Sequence, residues 1–97
     1  MRRLLLSQIA RMTGGRLHGE DAAVDLVATD SRALPQGGAA LFVALKGERF
    51  DGHDHVARLA GGAVAGALVS REIDAPIAQV IVADTERALA DLATTVQ

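Results

Sequence analysis

Two short polar clusters in this 97-residue chain carry the side chains that could do chemistry. The first is TDSR, Thr29 to Arg32, and the second is KGERFDGHDH, Lys46 to His55; both follow apolar segments of strand length. Lys46 and Arg49 offer positive charge and a guanidinium fork that suits phosphate. Open α/β sheets bind anionic ligands in loops between the carboxyl end of a strand and a helix. The second cluster therefore predicts either a loop that binds a phosphorylated or nucleotide ligand, or a solvated connection.

A metal site is the other chemistry that the second cluster could support. Its DGHDH sequence, 51–55, contains two carboxylates and two imidazoles, and all four are competent metal ligands. The two histidines would need a third ligand from elsewhere, and His18 is the only other histidine in the chain. Because Asp-Gly is a common turn and Asp54 is a candidate N-cap, no metal site is predicted.

Several motifs with known chemistry are missing from the sequence. It has no P-loop and no G-x-G-x-x-G fingerprint, and therefore no visible ATP site of its own. Neither Ser31 nor Ser70 lies in a nucleophile elbow, which disfavours a hydrolase that pairs a serine with His53. In TDSR, Asp30 and Ser31 could hydrogen-bond their own turn, or could offer polar groups to a base or ribose. The position of both clusters at strand ends favours binding.

Composition limits the possible partners. The chain has 49% hydrophobic residues, twelve acidic and ten basic residues, and two phenylalanines as its only aromatic side chains. This composition predicts one folded domain without the basic surface or stacking aromatics that nucleic-acid binding uses. The absence of cysteine excludes disulfides and thiolate metal sites. No segment approaches the roughly 20 apolar residues that span a bilayer, so we expect a cytoplasmic protein without a membrane partner.

The first third of the chain predicts a helix and a strand. SQIARMTGG is typical of a short helix that is capped by Ser7 and ended by Gly14 and Gly15. AAVDLVATD, 22–30, alternates in polarity and predicts one half-buried strand, with Val24, Leu26 and Ala28 on one side.

The rest of the chain predicts a parallel sheet with flanking helices. Three continuous apolar segments of strand length predict buried strands: 40–45, 65–70 and 79–83. Helices are expected at about 54–62 and 85–96, the second capped by Asp84. The order strand, helix, strand indicates a βαβ unit with a right-handed crossover. The predicted fold class is α/β, with a small mixed or parallel sheet, a βαβ unit and flanking helices.

Taken together, TDSRALPQGGAALFVALKGERFDGHDHVARLAGGAVAGALVSR resembles the N-terminal domain of the Mur ligases, which add amino acids to the UDP-linked muramyl peptide of bacterial cell wall. The shared pattern is Asp-Ser-Arg, a Gly-rich turn, LFVAL-G and DGH, and the similarity continues into VIVADTERALADLA. ALKGERFDGHD is most similar to the members that add D-alanyl-D-alanine. The members that add the third residue usually differ in KGERF and stay as an alternative. His55 departs from the family, which usually has Phe or another large apolar residue there.

The resemblance implies a bacterial, cytoplasmic ligase of three domains, in which residues 1–97 form the single N-terminal domain. This domain would bind the UDP end of a UDP-N-acetylmuramoyl peptide and would need no cofactor. ATP and Mg²⁺ are expected in a central domain, toward which residues 84–97 would lead, and a C-terminal domain would bring the dipeptide. Both domains are expected partners. The substrate carboxylate becomes an acyl phosphate and an amine attacks it, so residues 1–97 alone are expected to be non-catalytic.

The resemblance also assigns site residues. Those expected to contact the UDP moiety are Thr29, Ser31, Glu48, Arg49 and Phe50. The residues expected to support the loop are Asp30, Arg32, Lys46, Gly47, Asp51, Gly52 and His53. Arg49 suits the pyrophosphate and Phe50 the sugar or base; no residue is assigned a catalytic or metal-binding role. A stand-alone nucleotide-binding or purely structural module remains an alternative, which a P-loop further downstream would exclude.

Overall fold

Residues 3–29, 39–45, 56 and 64–95 are described by the structure, a computed structural model. Their strands are β1 (Leu4–Leu5), β2 (Arg16–His18), β3 (Ala23–Val24), β4 (Leu26–Ala28), β5 (Ala40–Val43), β6 (Val64–Val69) and β7 (Gln79–Ile81). Their helices are α1 (Leu6–Thr13) and α2 (Thr85–Thr95). None of the helices in these ranges is both long enough and apolar enough to cross a membrane.

The main sheet has five strands in the order β2-β7-β6-β5-β4. Strands β4, β5, β6 and β7 run parallel to one another, and β2 runs antiparallel to β7 at one edge. The three predicted apolar strands thus lie side by side in one sheet, which confirms the α/β prediction. The short β2 was not predicted, because the alternation of RLH covers too few residues to indicate a strand. It forms a strand through its pairing with β7.

The predicted strand at 22–30 is interrupted at Asp25, so the expectation of one continuous strand is wrong. Strand β3 pairs with β1 in a separate two-stranded sheet, whereas β4 pairs with β5. The Asp25 N–H donates to the Ala39 carbonyl at 3.0 Å, and the Asp25 carboxylate accepts from the Ala39 N–H at 3.3 Å. Val27, not Leu26 or Ala28, packs against the cluster that contains Val24, which corrects the predicted side.

Two apolar clusters lie on opposite faces of the five-stranded sheet, because successive strand residues alternate between faces. The first joins α1 and α2 to the sheet through Leu6, Ile9, Leu41, Val43, Leu68, Val80, Ala88 and Leu92. The second contains Phe42, Ala44, Val56, Val64, Ala67 and Val69. Val56 is helical and fully buried; the rest of the helix predicted at 54–62 lies outside the described residues. Burial on both faces accounts for the continuous apolar sequences of β5 and β6.

Helix α1 is capped by a carboxylate from a distant part of the chain. The helix begins at Leu6, so the expected Ser7 cap is wrong. Instead, the Asp21 carboxylate accepts from the Ser7 hydroxyl at 2.6 Å and from the Ser7 N–H at 3.0 Å. The Gln8 side chain accepts from the Leu5 N–H at 2.8 Å. The helix ends at Gly14, whose φ of +70° is the left-handed conformation that glycine adopts freely, as predicted.

We expect acid to weaken the fold partly through Asp21. The hydrogen bond from the Ser7 hydroxyl, followed by that from the Ser7 N–H, lowers the pKa of this carboxyl below its ordinary value of 3.8. A lowered folded-state pKa stabilises the fold above the ordinary value, and this stabilisation is lost as the pH falls through the lowered pKa. Asp21→Asn should therefore be less stable than the parent near neutral pH, and the difference should shrink on acidification below 3.8.

Urea denaturation of both proteins over a series of pH values measures this effect. Glu20→Gln is the matched control, since it removes the neighbouring exposed carboxylate but leaves the bonds to Ser7 in place. A stability difference between Asp21→Asn and the parent that stays constant at all pH values would contradict the assignment.

Candidate functional site

The candidate site lies at the carboxyl edge of the parallel strands. The first predicted cluster begins directly after β4, and the second begins three residues after β5 ends at Val43. Strands β4 and β5 are parallel neighbours, with Ala28 paired to Phe42. The strands that lead into the two clusters, far apart in the sequence, therefore end next to each other at one edge of the sheet. Such an edge is where open α/β sheets bind their ligands.

Of the predicted site residues, Thr29 belongs to the described part of the chain. It lies exposed immediately after β4, at the carboxyl end of that strand. The other predicted residues, 30–32 and 46–53, lie outside the described residues, so their roles stay predictions. The structure thus shows that the strands preceding the two clusters end side by side.

The end of β5 is held from two sides. The Ala44 N–H donates to the Leu68 carbonyl at 2.9 Å, which extends the pairing with β6 by one residue. The Ala44 carbonyl accepts a hydrogen bond from the Thr85 hydroxyl at 2.8 Å, and both residues are buried. The role of Thr85 could not be predicted from the sequence. The only local signal is a hydroxyl residue directly after the predicted cap Asp84, and this signal does not reveal its distant partner.

The start of α2 is unsuited to an anion. The Asp84 carboxylate accepts from the Glu86 N–H at 2.9 Å and from the Arg87 N–H at 3.3 Å, as predicted for an N-cap. These donors are thus already used by a negative group, and Glu86 adds a second negative charge. A hollow of about 290 Å³ lies here, lined by Ser70, Ala83, Asp84, Thr85 and Glu86. Phosphate binding beside the start of α2 is therefore disfavoured.

No group of three or more histidine or acidic side chains within the described ranges is arranged to hold a metal ion. The DGHDH sequence lies outside those ranges, so the expectation that it holds no metal stays a prediction.

Comparison with known proteins identifies relatives along almost the whole chain, although no family model matches it. The chain is 46% identical over 92 residues to UDP-N-acetylmuramoyl-tripeptide–D-alanyl-D-alanine ligase from Escherichia coli (strain K12). This match covers 95% of the chain and 20% of that protein. A UDP-N-acetylmuramoyl-L-alanyl-D-glutamate–2,6-diaminopimelate ligase from Bacillus licheniformis is 38% identical over 73 residues, which are 75% of the chain and 14% of that protein.

A solved structure shares both the fold and the sequence similarity. It is the UDP-N-acetylmuramoylalanyl-D-glutamyl-2,6-diaminopimelate–D-alanyl-D-alanyl ligase from Acinetobacter baumannii, with a TM-score of 0.76 and 40% identity. The superposition covers 89% of the chain and 20% of that structure. The chain belongs to the Mur ligase family.

The similarity to Mur ligases lies in their N-terminal region, and the chain spans about a fifth of the length of the first relative described above. The described sheet, with its four parallel strands and flanking helices, is the Mur ligase N-terminal fold. The resemblance predicted from TDSR, LFVALKG and DGH is thereby confirmed at the level of family and fold.

Proposed function

We propose that the chain is the N-terminal, substrate-binding part of a three-domain ligase in bacterial peptidoglycan synthesis. The ligase adds D-alanyl-D-alanine to UDP-N-acetylmuramoyl tripeptide. The observation that carries this proposal is the 46% identity over 95% of the chain to an enzyme named for that reaction. The match to a ligase for 2,6-diaminopimelate is lower in identity and covers less of the chain, which favours the dipeptide over a single third residue.

Within this ligase, residues 1–97 bind the UDP end of the substrate and take no part in the formation of the new covalent bond. The chain has no P-loop, so ATP and Mg²⁺ bind in the central domain. There the tripeptide carboxylate takes up the terminal phosphoryl group of ATP and ADP leaves. The amine of D-alanyl-D-alanine then attacks the acyl phosphate and releases phosphate. All substrates are soluble and charged, consistent with a cytoplasmic enzyme that has neither nucleic-acid nor membrane partners.

The UDP pocket is proposed to form where β4 and β5 end. Thr29 and Ser31 offer hydroxyls from the first strand end, and Glu48, Arg49 and Phe50 follow the second. The neighbouring position of these two ends supports a shared pocket. The carboxylates of Asp84 and Glu86 at the start of α2 also favour a pyrophosphate on the β4 side, away from negative charge.

The proposal is tested with the full-length protein that contains this chain. We expect phosphate release from ATP that depends on UDP-N-acetylmuramoyl tripeptide, Mg²⁺ and D-alanyl-D-alanine together. The matched reaction contains the UDP-linked dipeptide in place of the UDP-linked tripeptide, and diaminopimelate in place of D-alanyl-D-alanine. Phosphate release in this second reaction alone would establish the alternative ligase. UDP binding without ATP turnover would indicate a nucleotide-binding module. Residues 1–97 alone should release no phosphate in either reaction.

A further inference from the structure

Met12 lies at the border between the apolar core and an open hollow of about 500 Å³. The residue is half-buried in α1 and packs against the first apolar cluster, and it also lines the hollow together with Val82, Arg87 and Ala88. The sequence has two methionines and no cysteine, so Met12 carries one of the two sulfur atoms of the chain. The residue that bears this nucleophilic sulfur is therefore placed where solvent and core meet.

A thioether at such a border can be oxidised by a peroxide. The sulfur attacks one peroxide oxygen, so that a sulfur–oxygen bond forms while the oxygen–oxygen bond breaks. The hydroxide that leaves takes up a proton and becomes water. The sulfur gives up two electrons and the peroxide accepts them, and the product, methionine sulfoxide, is polar. A fully buried methionine would be protected from this reaction, and a fully exposed one would be oxidised without an effect on packing.

The end of α1 cannot easily accommodate a new polar oxygen. The Thr13 hydroxyl already donates to the Ile9 carbonyl at 2.7 Å, and the Gly15 N–H already donates to the Ala10 carbonyl at 2.8 Å. These donors could bond a sulfoxide at Met12 only if the bonds that close the helix were broken. The cluster beneath Met12 is apolar, and a polar group without a partner is unfavourable there.

We propose that Met12 is an oxidation site, at which a peroxide converts the thioether to a sulfoxide and thereby loosens α1 from the sheet. The sulfoxide turns away from the apolar cluster into the hollow, where Arg87 offers N–H donors. The modification is reversible, because methionine sulfoxide reductases restore the thioether with two electrons from thiols. The site is independent of the proposed UDP pocket.

The test treats the full-length protein with hydrogen peroxide under native conditions. Trypsin cuts after Arg11 and Arg16 and so releases Met12 in the peptide MTGGR, separate from Met1. We expect this peptide to gain one oxygen atom. Hydrogen exchange of the backbone N–H groups of α1 should then become about three- to tenfold faster, the size expected for a polar group that is only partly buried. Treatment with methionine sulfoxide reductase and dithiothreitol should restore the parent rate.

Met12→Leu is the matched control, because leucine is similar in volume and apolar but has no sulfur. After peroxide treatment, the exchange of its α1 N–H groups should equal that of the untreated variant. In the oxidised parent, strand β4 should keep its exchange rates, since it lies at the opposite edge of the sheet from β2 and β7, which α1 contacts.

Three results would overturn the inference. The first is an MTGGR peptide without added oxygen after treatment of the native protein. The second is oxidation of Met12 without faster exchange in α1, which would show that the side chain makes no packing contribution. The third is an equal acceleration in Met12→Leu, which would place the reaction at another residue. If Met12→Leu does not fold, Met12→Ile replaces it as a second apolar variant without sulfur.

Discussion

Arg49→Ala in the full-length ligase is expected to raise KM for the UDP-linked tripeptide about ten- to 150-fold and to leave kcat nearly unchanged. A charge-assisted hydrogen bond to the pyrophosphate contributes about 1.5–3 kcal/mol, which corresponds to this factor in affinity. In the proposed substrate, the sugar and the peptide separate the pyrophosphate from the carboxylate that is activated. Its contacts are therefore nearly equal in the ground and transition states, and their loss appears in KM.

Steady-state kinetics with saturating ATP and a varied UDP-linked substrate measure this effect. Ser31→Ala should act in the same direction but more weakly, because a neutral hydroxyl contact contributes about 1 kcal/mol. Arg16→Ala is the control for loss of positive charge, since Arg16 is exposed on β2 at the other edge of the sheet from β4. An unchanged KM in both site variants would mean that the two clusters are solvated turns. A collapse of kcat alone would place Arg49 beside the chemistry.

The parallel core of the fold could be predicted because burial leaves a direct mark on sequence. ALFV in β5 and VAGALV in β6 are apolar at every position, since both faces of these strands are covered. The cap of α2 could also be predicted, because Asp84 and the N–H groups it accepts from are three or fewer residues apart. Local patterns thus determined the elements that carry the site.

Features that depend on distant partners could not be predicted from the same patterns. Ser7 is a reasonable cap by its type, but its hydroxyl bonds Asp21, fourteen residues away. The pattern at 22–30 predicts one strand, yet Asp25 bonds to Ala39 and the segment is divided between two sheets. Thr85 is a comparable case at the site, because its partner Ala44 is an apolar residue that offers only its backbone. The sequence located the polar clusters at strand ends but not the groups that hold those ends.

Gly15→Ala is expected to lower the free energy of unfolding by about 2–3 kcal/mol, the cost of overpacking a site that cannot relax. Gly15 directly precedes β2, and its backbone lies against Ile81 at the end of β7 and against Val82. A Cβ there would lie 2.6 Å from the Ile81 carbonyl oxygen and 2.6 Å from Cγ1 of Val82. Neither neighbour can move easily, because Ile81 is paired with both β2 and β6, and Val82 is buried. The methyl group would therefore force β2 away from β7.

Gly14→Ala is the matched control, because it adds the same methyl group one residue earlier. A Cβ at Gly14 would meet nothing within 4 Å, so its cost is the strain of a φ of +70°, about 1 kcal/mol. Urea denaturation of both variants separates two effects on stability. Gly15→Ala introduces steric contact without a positive φ, whereas Gly14→Ala introduces backbone strain without steric contact. Equal losses of stability would show that β2 can shift to admit a side chain. A larger loss for Gly15→Ala would show that close contact between β2 and β7 stabilises this edge of the sheet. Strand β7 is followed after two residues by Asp84 and then by Thr85, the first residue of α2.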